Sequence, residues 1–138
     1  MNYEFTVPGE PVAKQRARTV NKHTYTPRKT VLYENRVMDA FLSSYPNNHP
    51  VEGPVTLQIM AVFPVPASWS RPKKLRALAN IVKKITRPDI DNVMKSVMDG
   101  LNRVAWKDDG QIWKLTAVKL YGDTPRVEVV IETEDNHG

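Results

Sequence analysis

Residues 55–63 constrain the fold more than any other segment of this 138-residue chain. Apolar and polar side chains alternate through most of the segment, and this period of two predicts a β-strand with one buried face. Pro64 and Pro66 follow directly and end the strand, because proline cannot donate a hydrogen bond to a neighbouring strand. The sequence therefore predicts a β-strand over residues 55–63, and the fold class depends on the elements predicted on either side of it.

Helical and strand-like patterns alternate on both sides of this strand. Strands are predicted at 3–7, 112–121 and 126–132, and helices at about 30–44, from Ser70 onward, and at about 91–103. The turn-rich residues 122–125 predict a hairpin between the last two strands, whereas residues 22–29 have the composition of a loop. The polar residues 133–138 are expected to fray.

The predicted order of elements, β-α-β-α-α-β-β, indicates an α/β (α+β) fold with helices packed on a mixed β-sheet. No repeat, low-complexity tract or linker divides the chain, so residues 1–138 are expected to form a single domain.

The composition excludes several classes of function. Lysine and arginine outnumber aspartate and glutamate by 20 to 15, and the resulting net charge of +5 suits a polyanionic partner. Cysteine is absent, which excludes disulfides, cysteine–zinc sites and thiol catalysis. No apolar run could span a bilayer and the first residues do not resemble a signal peptide, so we expect a cytoplasmic protein without membrane contact.

Three aspartates stand out against this basic background. Asp89 and Asp91 lie just before or at the start of a predicted helix, and Asp109 follows that helix. Clustered carboxylates repel one another unless a cation neutralises their charge. A divalent metal ion can do so, and nuclease chemistry requires such an ion. If Asp91 caps the helix, the chain bends and both Asp89 and Asp91 can reach one point. Lys95 lies one helical turn beyond Asp91 on the same face.

Each of these residues also has a purely structural interpretation. An aspartate before a helix is commonly an N-cap, and the Asp-Asp-Gly sequence at 108–110 is typical of a turn. Lys95 could pair with Asp91 and Asp99 in a ladder of surface charges. The coincidence of these features in a basic chain without cysteine favours metal-dependent chemistry.

A second group of residues predicts contact with nucleic acid. Lys14, Arg16 and Arg18 alternate on an extended segment, which would place their charges on one side. Together with Arg28 and Lys29 they predict a strip that follows DNA phosphates. The three tryptophans, at positions 69, 106 and 113, are more typical of packing residues than of platforms for base stacking.

Residues 87–102 and 108–112 resemble the signature of the RusA-type Holliday junction resolvases, small endonucleases of bacteria and their phages and prophages. The resemblance rests on an Asp-x-Asp-Asn-x-x-Lys core, from Asp89 to Lys95, followed by the Asp-Asp pair at 108–109. The segments 11–18 and 25–30 are similar to phage-type members, so the likeness covers most of the chain. Residues 45–85 lie where such proteins vary, and no function is transferred to them.

The resemblance implies a homodimer that binds four-way, branched DNA and cuts symmetrically related strands with Mg²⁺, for which Mn²⁺ is a possible substitute. It implies metal-binding carboxylates at Asp89, Asp91 and Asp109 and an essential lysine at Lys95, with no small-molecule cofactor. It places the protein in the cytoplasm of a bacterial host, with a prophage as one source of the gene. The role of Asp108, the number of metal ions and the role of Lys95 stay open.

Two alternatives belong to different classes of protein. One is a DNA-binding module without catalysis, in which the aspartates serve only as caps and turns. The other is a nuclease with the same active site that cuts flaps or replication forks.

Overall fold

The computed structural model describes residues 1–134. In chain order its elements are β1 (Asn2–Pro8), β2 (Arg18–Val20), β3 (His23–Tyr25), α1 (Arg28–Ser44), β4 (Val55–Phe63), α2 (Arg71–Leu78), α3 (Ile90–Leu101), a 3₁₀ turn (Asp109–Gln111), β5 (Ile112–Tyr121) and β6 (Arg126–Thr133). The predicted α+β class with a mixed sheet is confirmed. No helix within these residues is long and apolar enough to cross a membrane.

Four strands form the main sheet in the order β1-β6-β4-β5. β6 runs antiparallel to both β1 and β4, whereas β5 runs parallel to β4. The predicted hairpin at residues 122–125 is therefore wrong, because β4 lies between β5 and β6. The connection crosses the end of β4 closely: the Gly122 N–H donates to the Phe63 carbonyl at 3.0 Å. A Cβ on Gly122 would lie 2.5 Å from Val62 Cγ1, so the crossing requires glycine.

Residues 18–25 form a hairpin where a loop was predicted over residues 22–29. Strands β2 and β3 pair around Asn21 and Lys22, whose φ angles are 51° and 66°. A type I′ turn, the two-residue turn whose twist matches that of the flanking strands, requires positive φ at both central residues. All six strand residues are exposed, so the period-two signal of a buried face is missing from the sequence. α1 accordingly starts at Arg28, two residues before its predicted start.

Helices α1 and α3 cover one face of the sheet. Their buried residues meet the core-facing positions of β4, of which Val55, Leu57 and Ile59 are at most 2% exposed. Gly100 lets the two helices approach closely, since a Cβ there would lie 2.8 Å from both Glu34 O and Val37 Cβ. The predicted burial of tryptophan holds for Trp106, which is fully buried, but not for Trp113, which is 65% exposed on β5.

The ends of two elements differ from expectation. Thr133 was expected to fray, yet it ends β6 and its N–H donates to the Met1 carbonyl at 3.0 Å. The rest of the predicted frayed end, from residue 135 onward, lies outside the described residues. α3 spans Ile90–Leu101 rather than 91–103, so the N-cap position belongs to Asp89 and Asp91 lies in the first turn.

Candidate active site

Asp89 and Asp91 stand at the beginning of α3 with exposed side chains. The Asp89 carbonyl accepts hydrogen bonds from Asn92 N and Val93 N, both at 3.2 Å, and these bonds start the helix. The Asp89 carboxylate itself makes no capping hydrogen bond. Asp91 Oδ2 lies 4.0 Å from Lys95 Nζ, one turn along the same face. The helix start therefore presents two carboxylates and one ammonium to solvent, and the Asp89 carboxylate is not needed as a cap.

A shallow groove runs between the start of α3 and the segment 13–17. The segment is fixed there because Lys14 N donates to Asn92 O at 2.8 Å and Gln15 N donates to Thr30 Oγ1 at 3.1 Å. The groove consists of two adjoining depressions of about 650 and 550 Å³ that share Arg16 and Asn92. We call these two depressions the α3 groove.

The α3 groove mixes acidic and basic side chains. Asp89 lines the first depression together with Arg87, and Asp91 lines the second together with Lys95. Arg16 lies in both. Cations of this kind can bind phosphate oxygens, whereas the carboxylates would repel phosphate unless a metal ion lies between them. The arrangement suits a phosphodiester held beside a metal-binding group.

Asp108 and Asp109 have different surroundings. Asp108 is the cap of the 3₁₀ turn, and its Oδ2 accepts from Gly110 N at 2.9 Å. The side-chain oxygen of Gln111 returns the interaction by accepting from Asp108 N at 2.9 Å. Asp109 Oδ1 instead accepts a hydrogen bond from the indole N–H of the buried Trp106 at 2.8 Å. Asp108 therefore has a structural contact in the turn, whereas the carboxylate of Asp109, the predicted metal ligand, is bound by Trp106.

The charge state of Asp109 is set by its neighbours. Burial raises the pKa of the Asp109 carboxyl, the Trp106 hydrogen bond opposes this shift, and the nearby carboxylates of Asp99 and Asp108 raise the pKa further. The net shift of the pKa is upward, so ionisation of Asp109 is less favourable in the folded protein than in an isolated aspartate, and a bound cation would offset this effect.

Lys14 binds two carboxylates instead of extending into solvent. Its Nζ lies 3.0 Å from Glu34 Oε1 and 2.5 Å from Asp99 Oδ2. Burial lowers the pKa of Lys14, but the hydrogen bonds and charges of Asp99 and Glu34 outweigh burial and raise it overall. Asp99 therefore pairs with Lys14 rather than extending a ladder with Lys95. The other predicted DNA contacts, Arg16, Arg18, Arg28 and Lys29, are exposed.

The predicted metal ligands do not form a closed cluster. Within residues 1–134 no three acidic, histidine or cysteine side chains lie close enough to hold a metal ion together. Asp109 lies near Asp99, which is not a predicted ligand and is eight residues along α3 from Asp91, a rise of about 12 Å. Mg²⁺ nevertheless fits the donor set, because it takes oxygen ligands and commonly uses one or two carboxylates, with water and substrate phosphate completing its shell.

Two supporting residues escaped the sequence-based prediction. Trp106 was treated only as a packing residue, and Gln111 was given no role. Gln111 links the Asp108–Asp109 turn to the chain before β4, since its Nε2 donates to Val51 O at 2.8 Å and to Gly53 O at 3.0 Å. The spacing Trp-x-x-Asp, which brings an indole N–H within reach of a carboxylate, was the available signal for Trp106.

Comparison with known proteins agrees with this architecture. The family model described as "Endodeoxyribonuclease RusA" matches residues 8–132, a span that includes the α3 groove and Asp109. The chain is also 36% identical over 134 residues to "Uncharacterized protein YqaN" of Bacillus subtilis (strain 168), covering 93% of this chain and 94% of that protein. A match over nearly the whole chain leads to one conclusion: this protein belongs to the RusA family of endodeoxyribonucleases.

Proposed function

We propose that this protein is a Mg²⁺-dependent, structure-specific endodeoxyribonuclease that resolves four-way (Holliday) junctions in DNA recombination and repair. The observation that carries the proposal is the placement of Asp89, Asp91 and Lys95 in one groove, in a chain that matches the endodeoxyribonuclease family over residues 8–132. We infer that the chain acts in the bacterial cytoplasm, where such DNA lies, and that a prophage encodes it.

Asp89, Asp91 and Asp109 would hold the metal ion. When bound, Mg²⁺ would polarise the scissile phosphate, lower the pKa of a bound water and shield developing charge, and Mn²⁺ is a possible substitute. Because the three aspartates are not clustered in the free protein, we infer that the DNA phosphate helps to assemble the site. No small-molecule cofactor enters the proposal.

The side chains of the α3 groove supply the remaining chemistry. Arg16 and Arg87 bind the phosphates on either side of the cleaved bond, which orients that bond toward the carboxylates. Lys95, with an exposed ammonium one turn from Asp91, either stabilises the negative charge of the transition state or positions the attacking water. Trp106 keeps the Asp109 carboxylate in one orientation through its indole N–H.

The proposed working unit is a homodimer. A four-way junction has two-fold symmetry and is resolved by two symmetric cuts, and one chain carries one such groove. A two-fold dimer supplies both sites in a geometry that matches the substrate. Basic surfaces on two subunits would also engage separate arms of the junction at once, which favours branched DNA over plain duplex.

The proposal is tested by cleavage of a synthetic four-way junction beside a linear duplex of the same sequence. We expect cleavage of the junction with Mg²⁺ or Mn²⁺ and none in excess EDTA, whereas Ca²⁺ should support binding only. Asp89→Asn, Asp91→Asn and Asp109→Asn should each abolish cleavage while binding is retained or tightened, because each change also removes charge that repels phosphates.

The same assay separates the alternatives. Junction binding without cleavage under any metal condition would favour the DNA-binding module. Faster cleavage of flap or fork substrates than of the junction would favour the other nuclease specificity.

A further inference from the structure

Lys119 breaks the pattern of the strand that carries it. On β5 the residues that pair with the core-facing positions of β4 are Leu115, Ala117, Lys119 and Tyr121. Lys119 pairs with Ala61, which is 1% exposed, and is itself only partly exposed. A lysine on the covered face of a sheet is a local exception to the apolar pattern, and such exceptions call for a functional explanation.

The Lys119 ammonium binds the main chain just before Asp89. Its Nζ donates to Thr86 O and to Pro88 O, both at 2.9 Å. Lys84 binds the same stretch, since its Nζ donates to Arg87 O at 2.9 Å and to Thr86 Oγ1 at 2.7 Å. Three successive carbonyls, those of residues 86, 87 and 88, thus each accept a hydrogen bond from a lysine.

The two lysines hold the segment at an electrostatic cost. Burial lowers the pKa of Lys84, the positive charge of Lys119 lowers it further, and Glu10 offsets only part of the effect. Lys84 also lies over the rings of Phe63 and Tyr121, at 5.0 and 5.8 Å from their centroids. Two neighbouring ammonium groups around three carbonyls are a poor means of closing an ordinary surface loop, because neutral side chains could do so without repulsion.

The effect of this arrangement falls on Asp89. The carbonyl of the preceding residue, Pro88, accepts a hydrogen bond from Lys119, and the Asp89 carbonyl accepts hydrogen bonds from the first turn of α3. The Asp89 carboxylate makes no capping hydrogen bond. The backbone on both sides of Asp89 is therefore fixed and the side chain is left for a ligand. A site that binds a metal ion and cleaves a phosphodiester requires its ligating and reacting groups to stay within about 0.5 Å of the productive geometry.

We propose that Lys119, assisted by Lys84, is a positioning residue that fixes Asp89 for metal binding and cleavage without touching the DNA. The inference rests on the proposed function and deepens it, because it assigns a supporting role for Asp89 to a residue of strand β5 that lies outside the α3 groove.

The test compares Lys119→Met, which removes the donors but keeps the length of the side chain, with Lys119→Arg, which keeps charge and donors. Lys114→Met is the matched control, since Lys114 lies on the same strand with an exposed side chain. Single-turnover cleavage of junction DNA is measured at saturating protein and varied Mg²⁺, and junction affinity is measured in Ca²⁺. Calorimetric titration of each protein with Mn²⁺ alone gives a readout that does not depend on cleavage.

We expect Lys119→Met to lower the single-turnover rate at least tenfold and to weaken Mn²⁺ binding several-fold, with junction affinity within twofold of the unchanged protein. Lys119→Arg should recover part of both losses, and Lys114→Met should change neither. If Lys119→Met fails to fold, Lys84→Met provides the same comparison with a smaller expected effect.

Unchanged rate and Mn²⁺ affinity in Lys119→Met would overturn the inference. So would an equal loss of junction affinity and rate, since that would assign Lys119 to DNA binding or to the fold. If the unchanged protein fails to cut any DNA, the proposed function fails instead, and the Mn²⁺ titration still decides whether Lys119 positions a metal ligand.

Discussion

At the scale of single residues, Asp109 shows how the surroundings of a carboxylate set its behaviour. It is partly buried, accepts a hydrogen bond from Trp106 and lies near the charges of Asp99 and Asp108. Its pKa is raised in the folded protein, so ionised Asp109 disfavours folding. Stability should therefore fall as pH rises from the ordinary aspartate value through the raised pKa of Asp109.

This shift predicts opposite outcomes for two substitutions. Asp109→Asn keeps an acceptor for the Trp106 N–H and removes the charge, so the protein should be as stable as the original or more stable at pH 7, with the difference vanishing near pH 3. Asp109→Ala leaves the buried indole N–H unpaired and should lower the free energy of unfolding by about 1–3 kcal/mol. Urea unfolding across this pH range measures both, and a loss of stability in Asp109→Asn would contradict the electrostatic account.

Lys14 and Arg16 are neighbours in sequence with different expected roles. Arg16→Gln should weaken binding to all DNA and reduce the slope of affinity against salt by about one unit, because Arg16 is exposed in the α3 groove. Lys14→Gln should instead lower stability by about 1 kcal/mol, since it leaves Glu34 and Asp99 without their cation. Binding titrations at several salt concentrations separate the two, and equal slopes for both variants would refute the distinction.

The residue types of the site could be predicted from sequence, whereas their partners could not. Asp89, Asp91 and Lys95 are local to one helix start, so spacing alone predicts that they lie near one another. The partners of Lys14 and Lys119 are distant in sequence: Asp99 is 85 residues from Lys14, and Pro88 is 31 residues from Lys119. Such contacts depend on the tertiary fold, and no local pattern encodes them.

At the scale of elements, the close packing of α1 on α3 depends on Gly100. Alanine normally stabilises a helix relative to glycine by up to about 1 kcal/mol. Here the added methyl group would lie 2.8 Å from Glu34 O and from Val37 Cβ, so the helices would have to separate.

Gly100→Ala should therefore destabilise the protein by about 1–3 kcal/mol, and Gly100→Ser by more, because overpacking outweighs helix propensity. Chemical denaturation of the two variants beside the original protein measures the series. A Gly100→Ala protein that is more stable than the original would show that the helices do not pack this closely.

The elements with a buried face were predictable and their pairing was not. β4 was predicted at its observed bounds because its alternation is local. The predicted hairpin of β5 and β6 was wrong because each of these strands pairs with β4, which ends about 50 residues before β5 begins and about 60 before β6 begins. The β2–β3 hairpin was missed because its strands have no buried face to produce a pattern.

At the scale of the whole molecule, the net charge of +5 and the acidic residues of the α3 groove have complementary roles. Under the proposed function, the basic surface would attract DNA and the carboxylates would confine metal binding to one place on it. We predict a homodimer, so light scattering at micromolar concentration should give about twice the chain mass of 15.7 kDa. A protein that stays monomeric when bound to a junction would contradict paired cleavage.

The most direct test of paired, metal-dependent cleavage uses a supercoiled plasmid that extrudes a cruciform. Two cuts within one binding event convert the plasmid to linear DNA, whereas independent single cuts accumulate nicked circles. We predict that the unchanged protein yields linear product with Mg²⁺ and that Asp91→Asn yields neither product. Accumulation of nicked circles, or cleavage that persists in excess EDTA, would contradict the account.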